Sequence, residues 1–368
     1  MAEPSSAVPL ATTTTAAASP APGTAPAAVP APGANGNDND PPSPAPAPLE
    51  PDEDEGNSEM DRLDLAHAMM VKAIGSRLYN APLEKEKVQR ILDIGTGTGL
   101  WAVEMGDVFE NAEVLGIDLS PIQPEWVPPN VKFEIDDIES PWVDNRKYDF
   151  IMCRYMVASI KDWPGLIKNI FEYAVTFPLV LSSILAEYGQ ALLLLPELTD
   201  TKCQQNSHLN PGGWVEFQDV NTQFYSDDDT FSKDSATARW MAGFATACKG
   251  MGRDTDVAPT LASLLREGGF PSELVHARRI KAPLGPWAKD QFYKDLGMMN
   301  LILTIDGLEA LSLKLFAELL GRTQEEILVE TAAVRKELKT GAFGAFHAMF
   351  DIYNVYAQKP LETEDTTQ

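Results

Sequence analysis

Seven residues, Asp93-Ile94-Gly95-Thr96-Gly97-Thr98-Gly99, combine the types that an anion cradle needs. Glycines permit backbone angles and a close approach that a Cβ would block. A helix starting just after them presents free amides and the positive end of its dipole to a carboxylate or phosphate. Asp118 comes 25 residues after Asp93, where a carboxylate can accept both hydroxyls of a ribose. Asp136-Asp137-Ile138 follow, where a carboxylate can accept from an exocyclic amine such as that of adenine. The set describes a nucleoside pocket. A nicotinamide dinucleotide is disfavoured, because Leu100 stands where that fingerprint wants Gly or Ala. In the plainer alternative the glycines only make a tight turn and the aspartates cap helices.

These residues need a parallel sheet to bring them to one edge, and the hydropathy pattern supplies it. Leu63, Leu65, Met69, Met70 and Ile74 recur at helical spacing, and that helix ends near Gly75. Ile91 to Ile94 reads as a strand stopping at Gly95, and Leu100 to Phe109 as a helix, the opening of a βαβ unit. Val114 to Ile117, Val131 to Ile135 and Tyr148 to Cys153 give three more strands. A helix starts at Asp162-Trp163-Pro164. A helix-to-strand turn, Asn210-Pro211-Gly212-Gly213, then leads into a fifth strand, Trp214 to Val220; Leu274 to Ile280 and Phe346 to Tyr356 complete seven. Between them come a short helix, Thr260 to Glu267, and two further helices around Leu308–Leu319 and Ile327–Leu338. Residues 286–340 are expected to form a helical cap inserted between the last two strands. Short buried strands alternating with helices predict an α/β fold, a doubly wound, mostly parallel sheet covered on both faces.

One segment breaks the pattern. Removing Tyr173 to Ser207 would join an amphipathic helix directly to its expected stop, whereas connections of this kind take only a few residues. We read residues 173–207 as an atypical insertion, a translated intron or a splice variant; the alternative is an ordered loop.

Composition bounds the function. The chain has 368 residues and a net charge of −25, and ten carboxylates precede the first basic residue, Arg62, leaving about −15 on the remainder. No Lys/Arg block offers the footprint that phosphate-backbone binding requires, so direct nucleic-acid contact is not expected. Residues 1–50 hold 14 Ala and 12 Pro and almost no large apolar side chain, and 1–58 reads as a disordered acidic tail. Residues 361–368 read as a frayed end. Three cysteines without CxxC spacing and four scattered histidines argue against a disulfide framework or structural zinc. His208, His276 and His347 read as solvated or packed imidazoles. Trp126, Trp163 and Trp214 are candidates to line or support a cleft. No secretory signal is evident, and the longest apolar stretch, Val175 to Leu195, is broken by Pro178, Glu187 and Gln190; a soluble intracellular protein is expected, with no membrane span.

The Asp93–Gly99 pattern resembles the (D/E)xGxGxG loop of class I S-adenosylmethionine-dependent methyltransferases. The segments Asp61 to Leu65, Ile91 to Trp101, Asp118 to Pro124, Trp126 to Asn130 and Pro211 to Asp219 resemble the fungal LaeA-like branch of that family. The resemblance implies a Rossmann-like domain over residues 59–360 that binds S-adenosyl-L-methionine. Asp93, Gly95, Thr96, Gly97 and Gly99 would lie around its methionine part, Asp118 on the ribose, and Asp137 on the adenine with Asp136 as the lesser alternative. It further implies a nuclear regulator of secondary metabolism and development, with the cytoplasm as a second compartment and velvet-family proteins as partners. Tyr155, beside Arg154 past the fourth strand, falls where acceptor-side residues lie in the wider fold, so it is the candidate catalytic residue; rim packing is the bland alternative. Two rival functions stand beside the enzyme: a regulatory scaffold that keeps the cofactor site and works by partner contact, and a nicotinamide-dependent oxidoreductase.

Overall fold

The computed structural model describes residues 53–142, 145–171 and 208–361. The expected insertion at 173–207, the end at 362–368 and residues 1–52 of the expected tail lie outside the described residues. Helix α1 spans Glu53–Ala73, so it begins inside the stretch 1–58 that composition alone assigns to the tail.

Seven strands form one sheet: β1 Arg90–Ile94, β2 Glu113–Asp118, β3 Val131–Ile135, β4 Tyr148–Arg154, β5 Leu209–Val220, β6 Val275–Pro283 and β7 Met349–Gln358. Their order is β3-β2-β1-β4-β5-β7-β6. Pairings from β3 through β5 are parallel, while β7 runs antiparallel to both β5 and β6. The order reverses between β1 and β4, and ligands of open α/β sheets bind at such a switch, beyond the carboxyl ends of the strands. All seven expected strands are present, in a doubly wound, mostly parallel sheet.

Three boundaries differ from the sequence reading, the first being the helix expected around Leu308–Leu319, which is divided between one helix ending at Ala310 and another over Leu313–Leu320. Asn210-Pro211-Gly212-Gly213 is not a helix-to-strand turn but part of β5, where the register on β4 jumps from Tyr148↔Leu209 to Phe150↔Trp214. The extra residues form a bulge, which tolerates the missing N–H of Pro211 and the positive φ (77°) of Gly212. Asn210 Nδ2 donates to Asp149 Oδ1 at 2.7 Å and pins the bulge to β4. The last strand starts at Met349 rather than Phe346, because Phe346 turns into the cap instead of joining the ladder.

The sheet carries α2 (Leu100–Val108) on one face and α3 (Trp163–Phe171) with α5 (Leu261–Glu267) on the other. The first face buries Trp101, Met105, Val114 and Phe150; the second buries Ile94, Ile151, Ile167, Leu261 and Phe270. Above the carboxyl edge sits a cap of four helices: α4 (Ala236–Gly250), α6 (Gln291–Ala310), α7 (Leu313–Leu320) and α8 (Gln324–Gly341). Three of them, α6, α7 and α8, fall between β6 and β7. Helix α4 joins them through Trp240 and Phe244, packed with Leu301, Leu308, Phe316 and Val334. Its start is fixed by Ser235, which accepts from the Ala238 amide, and α8 starts with a reciprocal capping box between Thr323 and Glu326. Among the described residues no single helix is long and apolar enough to cross a membrane.

Candidate functional site

The glycine turn hangs from β2: the amides of Gly95 and Thr96 both donate to the Ile117 carbonyl, at 2.9 and 3.0 Å. Gly95 and Gly97 have φ of 70° and 57°, the left-handed region that side chains disfavour. A Cβ on Gly95 would strike Met156 Sδ at 2.3 Å, while one on Gly97 would point into open space, with only Leu63 near it at 3.8 Å. Gly97 thus leaves a gap that a side chain would fill. No side chain caps α2, so its first amides stay free for a ligand.

The acidic residues divide by depth. Asp93 lies buried beneath the turn and accepts from Thr96 Oγ1 at 2.6 Å. Desolvation raises its carboxyl to about 6, against the lowering effects of Thr96 and Arg154. Asp118 is half-buried at the end of β2; its Oδ2 accepts from the Gly97 amide (2.8 Å) and its Oδ1 from the Ser120 amide (3.0 Å). Each oxygen keeps a further lone pair for a hydroxyl. Asp136 and Asp137 stand exposed past β3. Asp137 accepts from the Glu139 amide and Ser140 Oγ, whereas Asp136 accepts from the Asp137 amide. The sheet brings Asp93, Gly95, Thr96, Gly97, Gly99, Asp118, Asp136 and Asp137 to the carboxyl ends of β1 to β3. Only Gly95, Thr96 and Gly97 of that set line the chamber beside the turn.

That chamber has a volume of about 450 Å³ and lies between the turn, α1 and the cap. Helix α1 closes it: Asp64 Oδ1 accepts from Thr98 Oγ1 at 2.7 Å, and Leu63 stands over Gly97. His67 of α1 and Arg154 at the end of β4 complete a buried relay. Arg154 Nη2 lies 2.8 Å from His67 Nδ1, and His67 Nε2 lies 3.1 Å from Glu104 Oε2 on α2. A guanidinium only donates, so Nδ1 accepts, and the ring proton sits on Nε2 facing Glu104. Burial, with the Arg154 charge beside it, lowers the imidazole to about 3, so His67 is neutral. Arg154 Nη1 is sealed from solvent and has no hydrogen-bond partner among the described residues. A buried guanidinium nitrogen without an acceptor is costly, and a ligand carboxylate would satisfy it.

Tyr155 follows Arg154 with φ 56°, a strained conformation for a residue with a Cβ. Asp219 of β5 holds this turn by accepting from the Met156 amide at 2.8 Å, and the Tyr155 amide donates to the Gln218 carbonyl at 3.1 Å. The phenol is turned inward, its hydroxyl 3.9 Å from Met69 Sδ. Burial pushes its pKa up, so the group is a hydrogen-bond donor at neutral pH.

Several lining residues escaped the sequence reading. His67 was passed over, although it is the histidine that reaches the chamber; His208 bonds the Arg146 carbonyl, His276 stacks on Tyr356 and His347 pairs with Asp228. None of Trp126, Trp163 or Trp214 lines the chamber: Trp126 is 94% exposed, Trp163 lies in the core, and Trp214 packs on Tyr356. Trp101 and Trp240 line it instead. Gln123 was also missed; its Nε2 donates to the Gly97 and Ser120 carbonyls and clamps the loop after β2 onto the turn. The signal available was the spacing of Arg62, Leu63, Ala66, His67 and Met69, one face of α1.

A parallel sheet with an antiparallel seventh strand, a glycine turn after β1, a carboxylate after β2 and an orphaned buried cation together define a class I S-adenosylmethionine-dependent methyltransferase. Residues 65–271 match the family model described as a methyltransferase domain. The chain is 40% identical to methyltransferase pytC of Aspergillus terreus over 82% of its own length and 81% of that protein's. It is 34% identical to the secondary metabolism regulator LAE1 of Cochliobolus heterostrophus over 69% and 72% of the two chains. To the regulator laeA of Gibberella zeae it is 29% identical over 83% and 85%. Among solved structures, phosphoethanolamine N-methyltransferase 2 of Haemonchus contortus superposes with a TM-score of 0.38 at 13% identity, over 82% of this chain and 52% of that one, too distant to carry an argument. The chain belongs to this methyltransferase family, as a LaeA-like member.

Proposed function

We propose that the chain transfers methyl groups in fungal secondary metabolism, with the chamber beside the glycine turn as the place of transfer. The observation that carries this reading is the meeting, around one enclosed space, of the Gly95–Gly97 backbone and Arg154, whose buried Nη1 has no hydrogen-bond partner among the described residues. S-adenosylmethionine, when bound, supplies a methyl group already activated by a sulfonium charge. The residues present fit it: Gly97 leaves room for its amino-acid end, Arg154 Nη1 can take its carboxylate, and Asp118 can accept ribose hydroxyls. In this reading Asp136 or Asp137 takes the adenine amine. The chain's own work is positioning. α1 and the cap exclude water, the Glu104–His67–Arg154 relay fixes the guanidinium, and Asp219 fixes the turn that carries Tyr155.

The regulator names belong to relatives at 34% identity and below and favour a regulatory role, for which a place in the nucleus and velvet-family partners are part of the proposal. The relative at 40% has a methyltransferase name alone, and with the enclosed chamber it favours a second reading, a pathway enzyme acting on a small molecule. The two are separated by incubating the protein with methyl-labelled cofactor and either a nuclear or a small-metabolite extract, with Asp118→Ala as control. Label in protein bands supports the regulator, label in the small-molecule fraction the pathway enzyme. Label in neither, or equal label with the control, refutes methyl transfer at this site.

A further inference from the structure

Among the described residues, the chamber lining includes no acid or base free to take a proton from an acceptor. Four ionisable side chains of the described residues line it, Arg62, His67, Arg154 and Tyr155, and none of these is a carboxylate. Arg62 and Arg154 are cations. His67 is neutral, and its one basic nitrogen, Nδ1, already accepts from Arg154. Tyr155 holds its proton, and among the described residues its hydroxyl donates to the thioether of Met69. Arg62 is gripped through Nε and Nη2 by Glu59, at 2.8 and 2.6 Å, and feels the field of the Tyr155 oxygen. Neither Glu59 nor Asp306, the two carboxylates that act on Arg62, is part of the lining. The ionisable groups near the strained turn are therefore donors, Tyr155 through its hydroxyl and Arg62 as a cation already paired with Glu59. The rest of the wall is predominantly apolar, with Met69, Val220, Phe224, Trp240, Leu303 and Phe350 among its side chains, interrupted by neutral hydroxyls and amides such as Ser159, Asn221, Thr222 and Thr304.

With Arg154 given to the cofactor's carboxylate, a protonated amine would meet the Arg62 cation and, among the described lining residues, no group to deprotonate it, and an ordinary alcohol would keep its proton. An oxygen that arrives ionised needs neither service, and its charge is complementary to the wall. We propose that the acceptor is a small, mostly apolar molecule that presents an acidic oxygen, a carboxylate or an enol or phenol of comparable acidity, to Tyr155 Oη and Arg62, and is methylated on that oxygen. In the transfer the oxygen's lone pair forms the new C–O bond as the sulfonium C–S bond breaks with its electron pair staying on sulfur. The two opposite charges cancel, leaving a neutral methyl ester or ether and a neutral thioether, with no proton to remove. This proposal rests on the methyltransferase reading.

Calorimetry on the purified chain tests it. S-adenosylhomocysteine is titrated first; at saturation come 4-(2-naphthyl)butanoic acid, the alcohol and the amine of the same skeleton, and an unstructured lysine-containing peptide. Each probe is also incubated with methyl-labelled cofactor. The acid is expected to bind about tenfold more tightly than the alcohol, since its bonds to the donors are charge-assisted, and to yield a base-labile labelled ester. Tyr155→Phe should reduce the acid-to-alcohol preference severalfold and leave S-adenosylhomocysteine affinity unchanged. Leu303→Trp, which fills the chamber from the cap side, should remove acid binding and keep S-adenosylhomocysteine binding. If S-adenosylhomocysteine itself does not bind, the methyltransferase reading fails and takes this proposal with it. If it binds, but the acid is no better than the alcohol or does not bind, or the amine or peptide is methylated instead, the acceptor proposal is overturned and the methyltransferase reading stands.

Discussion

Where β1 to β3 end, the sheet offers main-chain atoms: the glycine turn, the free amides of α2, and Asp118 already bonded to the Gly97 amide. Where β5 ends and β7 begins, it offers side chains, roofed by cap helices that come from distant parts of the sequence. The first region works through a few atoms whose spacing is fixed by covalent geometry. In the second, many contacts share the work, and each can change with only a graded cost. A ligand common to a whole family suits the former, and a pocket that differs from member to member suits the latter.

This contrast can be broken at several points. Gly97→Trp puts an indole into the gap beside Leu63 in a left-handed conformation, and should lower S-adenosylhomocysteine affinity by about a thousandfold or more, roughly 4 kcal/mol, by calorimetry. Affinity within tenfold of wild type would show that the turn does not grip the ligand. Phe316→Ala, in the cap core, should cost about 3–5 kcal/mol in chemical denaturation, while the folded protein keeps its S-adenosylhomocysteine affinity within about threefold. A parallel loss of affinity would mean that the two regions are one cooperative site. Arg154→Met should weaken S-adenosylhomocysteine by about tenfold, one charge-assisted hydrogen bond, and leave methylthioadenosine, which lacks the carboxylate, unchanged. An equal loss for both ligands would take Arg154 off the carboxylate.

A further expected effect concerns Asp219, at the joint between the regions. Burial raises its carboxyl to about 7, although three backbone amides pull the other way. The unfolded chain titrates near 4, so between those values the folded chain keeps a proton that the unfolded chain has released. The contribution of Asp219 to stability is therefore fully present below about pH 4 and is lost as pH rises through 7. Asp219→Asn has no such titration. The melting temperature of the variant relative to wild type should rise by a few degrees between pH 5 and pH 8; a constant difference would show that the residue is already ionised in the fold.

How much could be read in advance follows the same division. The seven strands and the Asp93–Gly99 turn were legible because each rests on a short run of residues: an apolar stretch, a glycine stop, a carboxylate at the strand end. The bulge at Asn210–Gly213 was not, because Pro and two glycines look alike in a turn and in a kinked strand, and only the ladder on Asp149 tells them apart. Helix α4 was missed because alanines, glycines and threonines surround its two large anchors, Trp240 and Phe244. The Glu104–His67–Arg154 relay joins residues 37 and 87 positions apart, and no local pattern announces it.

The placement of β7 has a consequence for biosynthesis. This strand lies between β5 and β6, so β6 is joined to the sheet only through a partner made after it, and three cap helices precede that partner along the chain. A nascent polypeptide that has emerged as far as Thr340 already holds every residue of the glycine turn, yet has nothing to clamp its sixth strand or anchor its roof. Ribosomal pausing there should leave an intermediate competent to meet the nucleoside but indifferent to the acceptor, which makes selectivity the last property that each new molecule acquires.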